Sequence, residues 1–389
     1  MEAWMLKETP KTIILFMLCL MLLQAGCTVN INLNSADKPA VTVSGRKVIH
    51  EEEFGGIYLD LSIDEFGDLG FDYGDSVSIC FSNGFKLVNI PYYNGYYART
   101  GERLLVGYPG YPYIEAAIQE GEPLWDIADM HEGDTADITL YKKGAYLDVQ
   151  KARDLHYEDD RSAYSSDEVF ANFRSVKAGK ISPDTLYRSA SPCDNKRGRA
   201  GYVDRLMEGA GIGFVLDLAD SDEMIQAYME DDDFDSYYFK SLYENGNDIP
   251  MAMGMTFGSD DFRRKLADGF RAMTAHDGPY LVHCTEGKDR TGFVCMLLEA
   301  LCGAGYDELL DDYMITYDNY YGITKDSDPG KYDIIVSDVF RPRLAVIADD
   351  EGIDPKTADL CAYAEKYLES AGMTKNEITA LRSKLTGGR

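Results

Sequence analysis

Residues 41–150 alternate apolar and polar side chains in short runs. Examples are the segments 57–61, 76–81 and 136–141, and clusters of Gly, Asn and Asp separate such runs. Successive side chains of a strand point to opposite faces, so this alternation is typical of strands that bury one face. The pattern predicts an all-β module over residues 41–150, either an antiparallel barrel or a sandwich.

A different order of elements is predicted further along the chain. A strand-like apolar run at 279–282 leads into a short glycine-containing loop, and a helix-like apolar run at 293–301 follows. A strand, a tight loop and a helix N-terminus favour anion binding, because the loop N–H groups and the helix dipole converge on one point. We predict a second domain over residues 160–389 that is built around this phosphate site.

The loop carries the residue types of a phosphate-transfer site. Its sequence from 283 to 292 is His-Cys-Thr-Glu-Gly-Lys-Asp-Arg-Thr-Gly. Cys284 is the predicted nucleophile, because the loop amides and the helix N-terminus favour its thiolate form. Arg290 is predicted to hold two phosphate oxygens at once, a geometry that lysine cannot reproduce. Gly287 permits a backbone conformation that is closed to other residues.

The other loop residues have predicted supporting roles. His283 is expected to orient the loop and favour the thiolate, and Thr291 to donate a hydrogen bond toward the sulfur. Lys288 adds positive charge at the mouth of the site. The predicted substrate-binding residues are those that follow the nucleophile: Thr285, Glu286, Gly287 and Lys288.

Asp289 is the predicted general acid for the leaving alkoxide, because it lies inside the loop and within reach of the substrate. An alternative acid comes from the polar stretch 244–261, where Asp248, Asp260 and Asp261 are candidates to move in as a lid. An acid beside the loop arginine is held ionised unless the bound phosphate dianion favours its protonation. Asp289 is preferred because of its reach.

The loop resembles the active-site loop of the bacterial tyrosine phosphatase family, whose pattern is H-C-x-x-G-K-D-R-T-G. Members of that family act on phosphotyrosine, phosphoserine or phosphoinositides. The resemblance implies a C-terminal α/β cysteine-phosphatase fold, with a parallel central sheet flanked by helices. It also implies catalysis through a phosphocysteine without a metal or other cofactor, with the loop aspartate, here Asp289, as general acid.

The resemblance covers roughly residues 165–389. Similar segments are 172–174 with 186–190, the strand at 213–218, Asp312-Tyr313 with Thr316, and two tail helices at 362–368 and 381–385. Two positions depart from the family pattern. Residues 175–178 are Ser-Val-Lys-Ala where the family has Asp-Leu/Val-Gly-Gly, and Ala219 replaces an arginine. Both changes affect the predicted walls of the substrate cleft and leave the substrate open. Arg174 and Arg188 are interpreted either as structural or solvated ion pairs or as phosphate contacts.

The N-terminus has the pattern of a targeting segment. Two lysines precede an apolar run at 12–23, which is too short to span a membrane and ends in Gln24-Ala25-Gly26-Cys27. Small residues before a cysteine resemble a bacterial lipobox, in which Cys27 is lipidated. We expect a signal peptide over 1–26, a tether over 27–40, and an exported lipoprotein anchored to the cell membrane outside the cytoplasm. Ordinary secretory cleavage is the alternative.

The β module has two further features. Residues 107–140 resemble the small C-terminal β-barrel of S-adenosylmethionine hydroxide adenosyltransferases, although no partner nucleoside-binding domain is visible. Tyrosines are concentrated at 92–97 and 108–113. They are expected either to fill and cap the barrel or to form a binding surface.

The net charge and the cysteine pattern restrict the classes of substrate, partner and metal that we expect this chain to bind. The formal net charge is −29, which disfavours nucleic acid and anionic membrane surfaces and slows highly anionic substrates. Glu286 adds negative charge at the mouth. We expect phosphoprotein or small phosphomonoester substrates, no nucleic acid, and membrane contact through the lipid alone. Neither a C-x-x-C motif nor a His/Cys pattern typical of zinc is present, so no metal site is predicted.

These observations predict an exported, membrane-anchored protein-tyrosine or dual-specificity phosphatase that works through a phosphocysteine at Cys284. One alternative is a phosphatase for phosphoinositides or small molecules. A second is a catalytically weak protein that binds phosphate or a partner through its β module. Sulfur transfer of the rhodanese type is less consistent with the Arg290-Thr291-Gly292 segment.

Overall fold

The computed structural model describes residues 41–387, and the chain divides into two compact units between Asp154 and Leu155. The predicted signal peptide, the tether and Cys27 lie outside the described residues. Within residues 41–387, no helix combines the length and the apolar character needed to cross a membrane.

The first unit is a closed β-barrel, as one of the two predicted alternatives. Its strands pair in the order β1-β2-β6-β5-β4-β3-β7, and β1 also pairs with β7, which closes the sheet. The pairs are antiparallel except for β4 with β5. The strands are β1 Thr42–His50, β2 Ile57–Leu59, β3 Ser76–Phe81, β4 Lys86–Tyr93, β5 Arg103–Val106, β6 Ile114–Ile118 and β7 Thr135–Lys142. The helices are α1 Ile63–Asp68, α2 Leu124–Ile127 and α3 Leu147–Arg153.

Aromatic residues fill much of the barrel. Phe66 stacks on Phe71 with ring centroids 4.0 Å apart, and Tyr92 meets Phe66 edge-on at 4.9 Å. Tyr92 and Tyr93 are buried, whereas Tyr108 is exposed. The two tyrosine-rich segments therefore divide between the barrel interior and its surface.

The second unit has a sheet in the order β11-β10-β12-β9-β8. The pairs β10–β11, β10–β12 and β12–β9 are parallel, and the short edge strand β8 is antiparallel to β9. The strands are β8 Arg174–Ser175, β9 Leu186–Ser189, β10 Phe214–Asp217, β11 Asp248–Pro250 and β12 Tyr280–His283. The parallel strands agree with the prediction, while the antiparallel edge strand was not predicted.

Helices pack around this sheet and extend to the end of the described chain. They are α4 Asp167–Phe170, α5 Ala200–Ala210, α6 Asp222–Met229, α7 Tyr237–Glu244, α8 Asp260–Ala275, α9 Asp289–Leu301, α10 Tyr306–Tyr321, α11 Pro329–Ile335, α12 Arg341–Ala348, α13 Leu360–Ser370 and α14 Lys375–Leu385. A 3₁₀ turn spans Arg161–Ala163 and a π-helical turn spans Val336–Phe340. In α9 every residue from Thr291 to Leu301 is buried, as expected for a helix that is apolar on all sides.

Alternation along the central strands assigns their side chains to two different cores. Val282 and Cys284 join the larger core with Phe293 of α9. Leu281 joins a second core with Val203 and Met207 of α5. Because side chains alternate along a strand, His283 faces the same side as Leu281. The nucleophile and the preceding histidine are thereby directed to opposite faces of the sheet.

Candidate active site

The loop from Cys284 to Lys288 connects β12 to α9 at the carboxyl edge of the parallel strands. Four donors outside the loop hydrogen-bond to its carbonyl oxygens. Ser191 N donates to Thr285 O at 3.2 Å, and Tyr320 Oη donates to Glu286 O at 2.8 Å. Arg188 Nη2 and Asn172 Nδ2 both donate to Gly287 O, at 3.0 and 3.2 Å. In a trans peptide the N–H points opposite to the C=O. The amides of the next three residues therefore point to the inner side of the loop, where an anion would be bound.

Gly287 has a positive φ of +65°, as the sequence predicted. A Cβ atom at this position would lie 2.2 Å from the carbonyl oxygen of Ser189 on the neighbouring strand β9. Glycine is required here for two reasons, because the left-handed conformation is strained for other residues and because backbone occupies the space.

Replacing Gly287 by alanine should lower the free energy of unfolding by about 2 kcal/mol or more. Gly303→Ala is the matched control, because Gly303 also has a positive φ, +86°, but a Cβ atom added there would meet nothing within 4 Å. Guanidinium unfolding of both variants measures the effect. Equal losses in the two variants would show that the contact with Ser189 is unimportant.

Cys284 lies at the base of the loop as a free, buried thiol that is 3% exposed. Thr291, in the first turn of α9, is also buried, and its Oγ1 makes no hydrogen bond within the described residues, including to the Cys284 sulfur. The predicted bond from Thr291 to the sulfur is therefore not formed here. Among the described residues, the Thr291 hydroxyl therefore has no hydrogen-bond partner in the first turn of the helix that follows the loop.

Arg290 crosses the mouth of the loop. Its Nη1 donates to Met253 O at 2.9 Å and its Nη2 donates to Thr285 Oγ1 at 3.2 Å. The Nε makes no hydrogen bond within residues 41–387. Neither partner is charged, so a phosphate dianion would compete well with both for this guanidinium.

Asp289 is the first residue of α9, and two cations contact its carboxylate. Arg343 Nη2 of α12 lies 2.9 Å from Oδ1, and Lys288 Nζ lies 3.6 Å from Oδ2. These cations favour the ionised carboxylate. Arg343 itself is almost fully buried and lies more than fifty residues away in the chain, so no local sequence signal indicated it.

Glu286 and Lys288 neutralise each other at the mouth. Lys288 Nζ lies 2.9 Å from Glu286 Oε2, and Tyr157 Oη donates to Glu286 Oε1 at 2.6 Å. Burial lowers the pKa of Lys288, but the carboxylates of Asp289 and Glu286 more than offset it and hold that pKa well above its usual range. Burial opposes ionisation of Glu286, yet Lys288 and Tyr157 lower its pKa. Glu286 is thus a paired charge.

His283 is fully buried on the face of the sheet opposite to Cys284. Burial lowers its pKa to about 4, with a smaller opposing effect from Asp220 and the Cys284 backbone. The ring is therefore neutral at pH 7 and supplies no positive charge to the thiolate. Strand alternation turns the ring away from the sulfur, and the predicted role of His283 in orienting the loop and favouring the thiolate stays a prediction.

Arg174 and Arg188 form buried structural ion pairs with Asp312 of α10. Arg188 Nη1 lies 2.6 Å from Asp312 Oδ2, and Arg174 Nε lies 3.0 Å from Oδ1. Arg174 also donates to Asn172 Oδ1 at 2.8 Å. Of the two interpretations, the structure supports the structural one, with the additional finding that this network supports the loop through Arg188 and Asn172.

The alternative acids do not form a lid in this structure. Asp248 begins strand β11 and is buried, and its neighbour Ile249 packs on the core that contains Cys284. Alternation therefore directs Asp248 to the opposite face. Asp260 and Asp261 start helix α8 behind its cap Ser259 and are exposed, and Asp261 pairs with Arg264 at 2.6 Å.

The chain is similar to known phosphatases. The family model described as tyrosine phosphatase family matches residues 168–387. A tyrosine-protein phosphatase of Nostoc commune is 28% identical over 169 residues, which are 39% of this chain and 55% of that protein. A protein of Cupriavidus necator with the provisional name of tyrosine-protein phosphatase is 42% identical over 57 residues, which are 14% of this chain and 21% of that protein.

The matched stretches span about half of the first relative and about a fifth of the second. A crystal structure of an uncharacterized conserved protein from Thermotoga maritima matches 25% of this chain and 35% of that chain, with a TM-score of 0.22 and 23% identity. The family match begins after the β-barrel. The resemblance of the barrel to adenosyltransferases stays a prediction.

Proposed function

The chain belongs to the tyrosine phosphatase family, and on this basis we propose that it hydrolyses phosphomonoesters through a phosphocysteine at Cys284. The observation that carries the proposal is the loop geometry. Three consecutive carbonyls are held outward, so that the amides, Arg290 and the α9 N-terminus converge above a buried thiol. This arrangement suits a phosphoryl group whose charge is spread over three oxygens.

In the first step the Cys284 thiolate attacks phosphorus. An S–P bond forms while the ester O–P bond breaks, and the leaving oxygen departs in line with the sulfur. Arg290 would exchange its contacts with Met253 O and Thr285 Oγ1 for two phosphate oxygens. The loop amides hold the remaining equatorial charge without reorganisation.

Asp289 would protonate the leaving alkoxide, and in the second step the same carboxylate would accept a proton from the water that hydrolyses the phosphocysteine. Its contacts with Arg343 and Lys288 suit the basic role directly. For the acidic role, the bound phosphate dianion must counteract these cations. Arg343 therefore holds the carboxylate in place at the cost of opposing its protonation.

The proposed substrates are phosphoproteins or small phosphomonoesters, with phosphoinositides as the alternative. The net charge of −29 supports the first class. The ion pair between Glu286 and Lys288 removes one argument against anionic lipid substrates, because the negative charge of Glu286 is already neutralised by Lys288. The choice therefore depends on the overall charge rather than on the mouth of the site.

We also propose export and lipid anchoring at Cys27. The support is the sequence alone, with lysines, an apolar run and small residues before a cysteine. Radiolabelled fatty acid incorporated by the wild-type chain and not by Cys27→Ala would support it. Cleavage without lipid incorporation would favour ordinary secretion.

Hydrolysis of p-nitrophenyl phosphate by residues 28–389, without added metal, tests the enzymatic proposal. We expect turnover that is unaffected by a chelator and blocked by vanadate, since the chemistry needs only the thiolate, Arg290 and Asp289. Folded, reduced protein that binds vanadate without turnover would favour the binding-protein alternative. Turnover of thiosulfate instead would favour sulfur transfer.

Replacing Asp289 by asparagine should lower kcat for p-nitrophenyl phosphate by about 10²-fold or more, since acid–base catalysis contributes roughly 10²–10⁴-fold. Asp261→Asn is the matched control, because it removes an exposed carboxylate of the alternative group. A loss in Asp261→Asn with full activity in Asp289→Asn would move the acid to the start of α8.

A further inference from the structure

Behind the loop, on the face opposite to Cys284, three buried side chains converge with unsatisfied polar atoms. Asp217 and His283 are 0% exposed and Asp248 is 8% exposed. Asp217 Oδ2, both oxygens of Asp248 and both ring nitrogens of His283 make no hydrogen bond of normal geometry within residues 41–387. Such orphaned groups are rare in protein interiors and are costly unless something else binds them.

The sheet brings these groups together on three adjacent parallel strands, with Asp217 and His283 at the carboxyl ends of β10 and β12 and Asp248 at the start of β11. Asp217 of β10 is in register with His283 of β12, and Val215 of β10 is in register with Asp248 of β11. One donor atom from each of the three residues lies within 4.8 Å of the others. Asp217 Oδ2 and His283 Nε2 are 3.8 Å apart.

A second group shares Asp217. Donor atoms of Cys193, Asp217 and Asp220 also lie within 4.8 Å of one another, and all three residues are buried. Asp217 Oδ1 already accepts from the amides of Ala219 and Asp220 at 2.9 and 3.0 Å. Its Oδ2 is therefore the oxygen left for a ligand.

Basic side chains do not compensate the charge of this cluster. Among residues 41–387, no Lys or Arg hydrogen-bonds to Asp217 Oδ2 or to either carboxylate oxygen of Asp248. A bound cation would satisfy both the charge and the orphaned atoms.

We propose that Asp217, Asp248 and His283 bind a structural divalent ion of the zinc class. Carboxylate oxygens with an imidazole nitrogen, and a thiol beside them, are typical of Zn²⁺ rather than of Mg²⁺ or Ca²⁺, which prefer oxygen ligands. Tetrahedral zinc bonds of about 2.0–2.1 Å place ligand atoms about 3.3 Å apart. The 3.8 Å separation of Asp217 Oδ2 and His283 Nε2 is close to that value.

The ion would connect β10, β11 and β12 and fix the strand that ends at the nucleophile. It would not take part in the phosphate chemistry, because His283 faces away from Cys284. Its burial predicts slow exchange, so brief chelation of the folded protein should leave it bound. No sequence motif indicated the site, because its ligands come from separate segments of the chain.

Elemental analysis of the full-length protein, produced with zinc in the medium and washed with EDTA, tests the proposal. We expect about one zinc per chain. Wild-type protein unfolded with EDTA should refold to a higher melting temperature with zinc than without it, and with cobalt it should show visible d–d absorption. Zinc content below about 0.1 per chain, with no effect of either metal on refolding, would overturn the site.

Three variants locate the ion. Asp248→Asn and His283→Gln should lose the zinc, whereas Asp204→Asn, which changes another buried carboxylate of this unit, should retain it. Cys284→Ser should also retain it, and loss there would place the metal on the reactive thiol instead. If Asp248→Asn and His283→Gln do not fold, the visible absorption of wild-type protein refolded with cobalt still shows whether the metal site exists.

Discussion

Replacing Cys284 by serine should lower the turnover of p-nitrophenyl phosphate by about 10⁴-fold or more while the protein stays folded. A serine hydroxyl is a far weaker nucleophile than a thiolate at neutral pH, and the neighbouring His283 cannot act as its base because that ring faces the other side of the sheet. The substitution is nearly isosteric at a buried position, so the loop should still bind vanadate or phosphate. Steady-state kinetics together with isothermal titration of phosphate separate these two effects.

Cys361→Ser is the control for this experiment, because Cys361 is a partly exposed free thiol outside the loop. It should retain full activity and show that general thiol loss is not responsible. A trapped ³²P-labelled intermediate that is absent from Cys284→Ser would identify the phosphocysteine. Retention of more than a tenth of wild-type activity in Cys284→Ser would contradict the mechanism.

Replacing Arg290 by lysine should reduce kcat by about 10³-fold, with a smaller effect on KM. An arginine that stabilises the transferring phosphoryl group contributes roughly 10³–10⁵-fold in other phosphoryl-transfer enzymes. Lysine keeps the charge but loses the two parallel N–H groups that now contact Met253 O and Thr285 Oγ1. The loss should therefore fall on the transition state, where both equatorial oxygens carry charge.

Arg264→Lys is the matched control, since Arg264 is an exposed arginine of α8 with a local ion pair to Asp261. It should leave both kinetic constants unchanged. Vanadate inhibition should weaken in Arg290→Lys roughly in parallel with kcat, because vanadate resembles the transition state. A change confined to KM would show that Arg290 only binds the substrate.

Much of the fold could be predicted because the signals were local. Alternation at 57–61, 76–81 and 136–141 predicted strands that the structure shows at Ile57–Leu59, Ser76–Phe81 and Thr135–Lys142. The apolar runs on either side of the loop predicted β12 and α9. The spacing of apolar residues along a short segment predicts its secondary structure. The reason is that the buried side chains of a strand or helix recur with the repeat of that strand or helix.

The surroundings of the loop could not be predicted in the same way. Arg343, Tyr157 and Tyr320 each contact the loop or its aspartate, and they come from segments far from it in the chain. Their contacts depend on how α12, α10 and the segment before α4 pack. Asp248 shows the opposite error, since a polar stretch suggested a moving lid and the structure places the residue in a buried strand.

The sequence by itself determined the β-rich module, the strand–loop–helix unit, the need for glycine at 287, and the presence of a thiol and a guanidinium on one phosphate-sized loop. These follow from local backbone geometry and from the chemistry of adjacent residues. Tertiary structure alone decided that His283 faces away from the sulfur, that Arg343 holds Asp289, and that Asp217, Asp248 and His283 meet in one buried cluster. The physical reason is that parallel strands distant in sequence lie side by side in one sheet, so side chains become neighbours through sheet register and burial rather than through spacing along the chain.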